Sequence, residues 1–362
     1  MMKKSIKVII GIVAVLLVLT AVVAGLLSYW TSKPLYEPGM VRAGKNLRAP
    51  LAPPVQSIDK DFWTVESDIR LYHFADGTGT NVLVVHGGPG FPISQPLLGL
   101  KPLTSSYRFH YYDQRGCGKS SRPIDKFTSS NYYENMQTLD KTLGLGAQIA
   151  DIERIRQILG EDKLILVGHS FGGFIASLYA TEFPERVKAL VLVAPAEMLI
   201  MPPESGGLYE QVKPFLPADM QPAYADYVKR YFNFGNLFSH TEADLAALNR
   251  EFSPYYEAAL EAKGFSVPPS NAPGENGGWM VQAMYMSMGQ RHDYRAALKP
   301  VNAPVLVIHG DRDLQPEKAS RMYAQTFPNA EFKVISNASH FAFSEQPEEF
   351  AAAVGAFLSK VK

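Results

Sequence analysis

Five residues constrain this chain more than any others: Gly168-His169-Ser170-Phe171-Gly172. They follow the apolar run Lys163-Leu164-Ile165-Leu166-Val167 and precede the helix-like stretch Gly173-Phe174-Ile175-Ala176-Ser177-Leu178-Tyr179-Ala180. A serine between two glycines at a strand-to-helix junction is the pattern of a nucleophile elbow. The turn is so tight that its backbone is strained, and a Cβ at either glycine would collide with the neighbouring strand and helix. Its product is a hydroxyl lifted clear of the sheet at a helix N-terminus, where developing negative charge is favoured.

A serine hydroxyl is a poor nucleophile at neutral pH and needs a histidine to take its proton and a carboxylate to orient that histidine. The partners should follow in the order acid, then histidine. After a second apolar run, Ala303-Pro304-Val305-Leu306-Val307-Ile308, comes His309-Gly310-Asp311-Arg312-Asp313. After a third, Glu331-Phe332-Lys333-Val334-Ile335, comes Asn337-Ala338-Ser339-His340-Phe341. Both loops sit at strand ends, where an open parallel sheet places its active site. Ser170 and His340 are the expected nucleophile and base. By position alone, either Asp311 or Asp313 could orient the histidine while the other caps a helix or forms a turn. Acyl transfer also needs two backbone N–H donors for the oxyanion. The N–H of Phe171, next after the nucleophile, is one, and the glycine turn after the buried strand Val82-Leu83-Val84-Val85 should supply the other.

These motifs together resemble the α/β-hydrolases and, within them, the proline iminopeptidase-like serine peptidases. The resemblance rests on His86-Gly87-Gly88-Pro89-Gly90, Asp113-Gln114-Arg115-Gly116-Cys117-Gly118-Lys119-Ser120, the elbow, Gly310-Asp311-Arg312-Asp313 and Ser339-His340-Phe341, and spans about residues 58 to 360 with a gap in the middle. It implies Gly88 as the second oxyanion donor and Asp313 as the orienting acid, giving a triad of Ser170, Asp313 and His340. The chain departs from the pattern in two places. Such peptidases commonly carry a Trp-x-x-Trp-Glu helix whose glutamate helps hold the substrate's amino terminus; here Trp279 is the only tryptophan of the middle region, and Tyr255-Tyr256-Glu257 is the nearest look-alike. The elbow has His169 and Phe171 where many iminopeptidases have Gly and Trp.

Two tempting motifs fail. Gly118-Lys119-Ser120 resembles the end of a phosphate-binding loop, but Asp113 stands where that loop requires glycine. Gly116-Cys117-Gly118 and Gly144-Leu145-Gly146 each begin a dinucleotide fingerprint, and each lacks the third glycine, at Ser121 and Ile149. No metal or organic cofactor is expected. Lys plus Arg and Asp plus Glu number 35 each, so no global field favours nucleic acid as a partner. The single Cys117 cannot form an internal disulfide and reads as a small turn residue.

The amino terminus is the second informative region. After Lys3, Lys4 and Lys7, no charge occurs from Val8 to Ser32, and Val8 to Leu27 as a helix would cover roughly 30 Å, enough to cross a bilayer. Lysines before the segment put the rest of the chain outside the cytoplasm. A cleavable signal peptide is the rival reading, with Val22-Val23-Ala24 as a small-residue cut site. Pro34, Pro38, Pro50, Pro53 and Pro54 then suggest a spacer.

The expected organisation is an anchor or signal segment at 1–32, a linker at 33–57, a hydrolase core at 58–196 and 301–362, and a mainly helical cap inserted at 197–300. The core is a doubly wound, mostly parallel sheet. Met280, Met284 and Met288 recur at helical spacing in the cap and read as packing rather than pocket lining. Gly264, Gly274, Gly277 and Gly278 would suit a mobile lid. The sequence thus predicts an exported, membrane-anchored serine hydrolase of small peptide, acyl amide or ester substrates. The resemblance implies an aminopeptidase of the proline iminopeptidase type; a carboxylesterase, lipase-like or lactone hydrolase could use the same triad. A non-catalytic binding protein on this scaffold is opposed by the intact constellation. An aminopeptidase needs an anionic group near the pocket, and Glu197, Glu204, Glu210, Glu251, Glu257 and Glu275 are all available.

Overall fold

Short runs rich in aliphatic or aromatic residues become the eight strands of one sheet. In chain order they are β1 (Phe62–Glu66), β2 (Ile69–Gly77), β3 (Thr80–Val85), β4 (Tyr107–Tyr112), β5 (Leu164–His169), β6 (Val187–Val193), β9 (Val305–Gly310) and β10 (Ala330–Ile335), with the two-residue strands β7 (Ile200–Met201) and β8 (His292–Asp293) pairing separately between β6 and β9. The sheet order is β1-β2-β4-β3-β5-β6-β9-β10. β1, β2 and β4 run antiparallel in succession, and every pairing from β4 to β10 is parallel. The centre is buried on both sides, which is why β5 and β6 read as nearly continuous hydrophobic runs rather than alternating ones. Successive side chains still point to opposite faces. Leu83, Val85, Leu166, Leu190 and Val307 enter one core, and Val82, Val84, Ile165, Val191 and Ile308 enter the other.

Helices of eight or more residues are numbered α1 (Tyr132–Leu143), α2 (Leu145–Ile158), α3 (Phe171–Glu182), α4 (Gln221–Tyr231), α5 (Glu242–Arg250), α6 (Ser253–Glu261), α7 (Trp279–Met288), α8 (Glu317–Thr326) and α9 (Pro347–Leu358). Residues of α2, α3 and α8 join the first core, while α9 and the turn Leu98–Leu103 cover the second. Helices α4 to α7 lie between β6 and β9, and the β7–β8 pair, Ile200 opposite Asp293 and Met201 opposite His292, ties the two ends of this insertion together. Met280, Met284 and Met288 are fully buried in the core on α7.

The structure, a computed structural model, describes Thr20 and residues 32–267 and 275–361. The apolar stretch Val8–Leu27, apart from Thr20, and Gly274 lie outside those residues. Among the described residues no helix is long and apolar enough to cross a membrane.

Two expectations need correcting. The segment 33–57 is not a free spacer: Tyr36 and Val41 are buried, and the Tyr36 hydroxyl and the N–H groups of Gly39 and Arg42 all donate to Glu182 at the end of α3. Proline content suggested an extended chain, but two apolar side chains and one buried carboxylate are enough to fasten it. Gly277 and Gly278 are pinned rather than lid-like, since their N–H groups donate to the Gly90 carbonyl at 2.9 Å and to Glu242 at 3.0 Å. At its far end β2 runs through Asp76 and Gly77, which pair with Phe109 and Arg108 of β4.

Candidate active site

Parallel strands bring their C-terminal ends to one edge of the sheet, and the four motifs converge there. Ser170 follows β5 with φ 54° and ψ −123°, a strained conformation for a residue with a side chain. Its N–H donates to the Val193 carbonyl at 2.9 Å, and its carbonyl accepts from Ala196 N–H at 3.0 Å, so the turn is braced by the end of β6. The close approach explains the flanking glycines: a Cβ on Gly168 would lie 2.6 Å from Gly173 Cα, and one on Gly172 would overlap the Val85 carbonyl. Phe171 opens α3, and the first N–H groups of a helix have no carbonyl of their own.

His340 lies on the loop after β10, and its Nδ1 is 2.8 Å from Asp313 Oδ2. That bond leaves Nε2 as the nitrogen available for proton exchange. Burial pushes the imidazole down, but the charge and hydrogen bond of Asp313 outweigh it and hold His340 above its ordinary 6.5. Asp313 is buried, which alone would raise its carboxyl; the His340 partner holds it below the usual value instead. Asp311, the other candidate acid, accepts Ala338 N–H at 3.3 Å and shapes the loop carrying His340.

The glycine turn after β3 faces the elbow. Gly88 has φ +114°, and a Cβ there would stand 2.7 Å from the Phe91 ring, so this backbone excludes other residues. His86 links the turn to the Asp113–Ser120 loop: its Nε2 accepts Gln114 N–H at 3.1 Å, and its carbonyl accepts Gln114 Nε2 at 2.8 Å. Burial pushes His86 down to about 4, so it stays a neutral connector. Arg115, wholly buried in the same loop, pairs with Glu66 at 2.7 Å and Asp151 at 2.5 Å, locking the loop to β1 and α2. A buried ion pair of this kind fixes geometry more surely than it adds stability.

Gly88, Ser170, Phe171 and His340 line one cavity of about 340 Å³ beneath the insertion, whose far side is walled by Tyr209, Tyr227, Tyr231, Phe232, Phe252 and Tyr285. Asp313 sits behind His340, outside the lining. The lining includes two carboxylates, Glu197 and Glu210, and no Lys or Arg among the described residues. Glu197 is only 7% exposed; one of its oxygens accepts Ser205 N–H at 3.0 Å and the other the Ser205 hydroxyl. Among the described residues no cation pairs with it. The other candidate carboxylates stay away from this cavity: Glu204 and Glu257 are exposed, Glu251 pairs with Arg230 at 2.6 Å, and Glu275 adjoins the Gly118 loop through its carbonyl.

Sequence reasoning missed Gln315. Its N–H donates to Asp313 Oδ1 at 2.9 Å, its side-chain nitrogen to the Pro195 carbonyl at 2.8 Å, and its side-chain oxygen accepts Glu197 N–H at 3.2 Å. It joins the acid's loop to the loop bearing Glu197, a contact between segments about 120 residues apart that no local spacing announces.

A serine on a strained elbow, lining one cavity with a histidine that a buried aspartate orients, is the arrangement of a serine hydrolase. The profile of the alpha/beta hydrolase fold family matches residues 80–347, and the chain belongs to that family. It is similar to the proline iminopeptidase of Heyndrickxia coagulans, 29% identical over 297 residues that cover 79% of this chain and 93% of the relative. The proline iminopeptidase of Saccharolobus solfataricus is 25% identical over 320 residues, covering 81% and 88%. Among solved structures, a thermophilic esterase from Thermogutta terrifontis superposes with a TM-score of 0.54 at 23% identity, covering 85% of this chain and 99% of that one. Proline iminopeptidase from Mycobacterium smegmatis does so with a TM-score of 0.53 at 18% identity, covering 81% and 96%. At such identities the structural likeness establishes the fold alone.

Proposed function

We propose that this chain is an aminopeptidase of the proline iminopeptidase type, working through an acyl-enzyme on Ser170. His340, oriented by Asp313, takes the Ser170 proton as Oγ attacks the scissile carbonyl carbon, and the oxyanion rests on the N–H groups of Phe171 and Gly88. His340 then protonates the leaving amine, and water releases the acyl group by the same steps in reverse. The observation that carries the reading is Glu197: a buried carboxylate in the reaction cavity, without a cationic partner among the described residues, is a counter-ion site for a substrate α-ammonium. The named relatives support the same substrate class.

The test is turnover of prolyl and other aminoacyl amides, their N-acetylated forms and p-nitrophenyl acyl esters. Amide turnover abolished by acetylation, with a raised KM in Glu197→Gln, supports the aminopeptidase. Ester turnover without amide turnover supports the second reading, an esterase, which the aromatic cavity wall and the missing Trp-x-x-Trp-Glu helix favour. The same proposal includes export and a single-pass anchor over Val8–Leu27, with the strap at residues 32–48 holding the body close behind it. Membrane-fraction partitioning of the full chain, compared with residues 33 to 362 alone, tests this part.

A further inference from the structure

We propose that His169, the residue preceding the nucleophile, is a positioning residue that ties the backbone of His340 to the nucleophile's own strand. His169 Nε2 lies 2.9 Å from the His340 carbonyl oxygen. A carbonyl only accepts, so Nε2 carries the proton and the tautomer is fixed. β5 and β10 are separated in the sheet by β6 and β9, so this bond spans two strands and makes elbow and base move as one unit. The ring is wedged 4.8 Å from the His340 ring, 5.0 Å from Phe343 and 5.5 Å from Phe341. Burial, with the neighbouring His340, pushes His169 down to about 3, so it does not become a second cation beside the imidazolium that His340 forms during catalysis.

The other groups facing His340 act elsewhere. Asp313, from the loop after β9, holds its Nδ1. Glu345 grips the preceding residue by accepting Ser339 N–H at 2.5 Å. Tyr256 of α6 stands edge-on with ring centres 6.5 Å apart, and Lys263 donates to the Asp313 carbonyl at 2.8 Å. Among the described residues His169 alone connects the base to the elbow through the His340 main chain, a bond that persists whichever charge the His340 ring carries. The resembled peptidases that carry glycine at this position have no side chain to make it.

The inference rests on the proposed Ser170–His340–Asp313 triad. Its test is a comparison of His169→Gln, His169→Asn and His169→Phe in the full chain on p-nitrophenyl acetate, with rates normalised to sites titrated by a fluorophosphonate. Gln places a donor nitrogen where His Nε2 stands, and Asn and Phe do not. His169→Gln should stay within about threefold of wild type, while His169→Asn and His169→Phe should lose about 10- to 100-fold in kcat at nearly unchanged KM, the scale expected of misalignment by a fraction of an ångström. Their acid limb of kcat/KM should also move to lower pH, because a displaced His340 is less well paired with Asp313. Wild-type rates in Asn and Phe, a Gln variant as slow as Phe, or slow variants with an unmoved limb would each overturn the role. Full activity in Ser170→Ala would overturn the triad itself, whereas an inactive Ser170→Ala beside a wild-type His169→Phe would overturn only the tie.

Discussion

The Tyr36 hydroxyl donates to Glu182 Oε1 at 2.8 Å, joining the strap that follows the apolar amino-terminal segment to the last residue of the elbow helix. The same carboxylate accepts from Gly39 and Arg42 N–H at 2.8 and 2.9 Å. Glu182→Ala should therefore leave the buried Tyr36 hydroxyl and the N–H groups of the exposed Gly39 and Arg42 without their acceptor and lower stability by about 2 kcal/mol, since a hydrogen bond to a charged group contributes roughly 1.5–3 kcal/mol. Urea unfolding checks the magnitude, and limited proteolysis should cut first within residues 33–48. Unchanged stability would mean that the strap is held by Val41 and Tyr36 packing alone.

Exchanging the two loop carboxylates separates their roles. Asp313→Asn keeps the shape but removes the charge that orients and supports His340, and kcat should fall by about 10⁴. Asp311→Asn disturbs only an acceptor for Ala338 N–H and should cost less than about tenfold, within the range of one weakened neutral hydrogen bond. Steady-state kinetics on both variants decides the matter, and a larger loss at Asp311 would reverse the assignment.

The pH profile follows from the same pair. His340 serves as base only when neutral, and Asp313 keeps its folded value above 6.5 despite burial. A raised value means the proton is retained to higher pH, so kcat/KM should fall as pH drops through an acid limb lying above 6.5. In Asp313→Asn burial acts without its counterweight, and the residual activity should show a limb below 6.5. A wild-type limb below 6.5 would show that burial, not Asp313, dominates.

Gly88→Ala probes the oxyanion turn. At φ +114° with the Phe91 ring 2.7 Å from any Cβ, the backbone must shift, carrying its N–H off target. Loss of one such donor costs about 10²- to 10³-fold in kcat. The variant should still bind substrate, so the loss should appear in kcat more than in KM.

Met284→Ala tests core against pocket. Met284 is fully buried on α7 and does not line the cavity, whereas Tyr285, the next residue, does. A truncated core methionine should cost about 2–5 kcal/mol in unfolding free energy with KM unchanged. Tyr285→Phe should do the converse, altering KM with little loss of stability.

Local rules made much of this architecture legible. The apolar runs 82–85, 163–167, 303–308 and 331–335 agree to within two residues at each end with β3, β5, β9 and β10. Each is a short apolar run whose register is dictated by burial on a pleated sheet. Helix α1 escaped notice although Tyr132, Met136, Leu139 and Leu143 recur at helical spacing; its start is set by Asn131, which accepts from Tyr133 and Glu134 N–H. The proline-rich strap misled for the reverse reason, since proline dictates local extension but says nothing about what the extended chain lies against.

The chain's own sequence determined that a strained serine follows a buried parallel strand, that a glycine turn precedes it and that an acid and a histidine follow at strand ends, because elbow, turn and strand are enforced by steric rules acting over a few residues. Tertiary structure alone decided the rest. It separated Asp313 from Asp311 by bringing only the former to His340 Nδ1. It selected Glu197 among the six glutamates as the buried carboxylate of the cavity, set Gln315 between distant loops, and pinned His340 to His169 across two strands. These contacts join segments far apart in the chain, and a hydrogen bond between such segments leaves no periodicity in the sequence; only the packing of the sheet brings its donor and acceptor within reach.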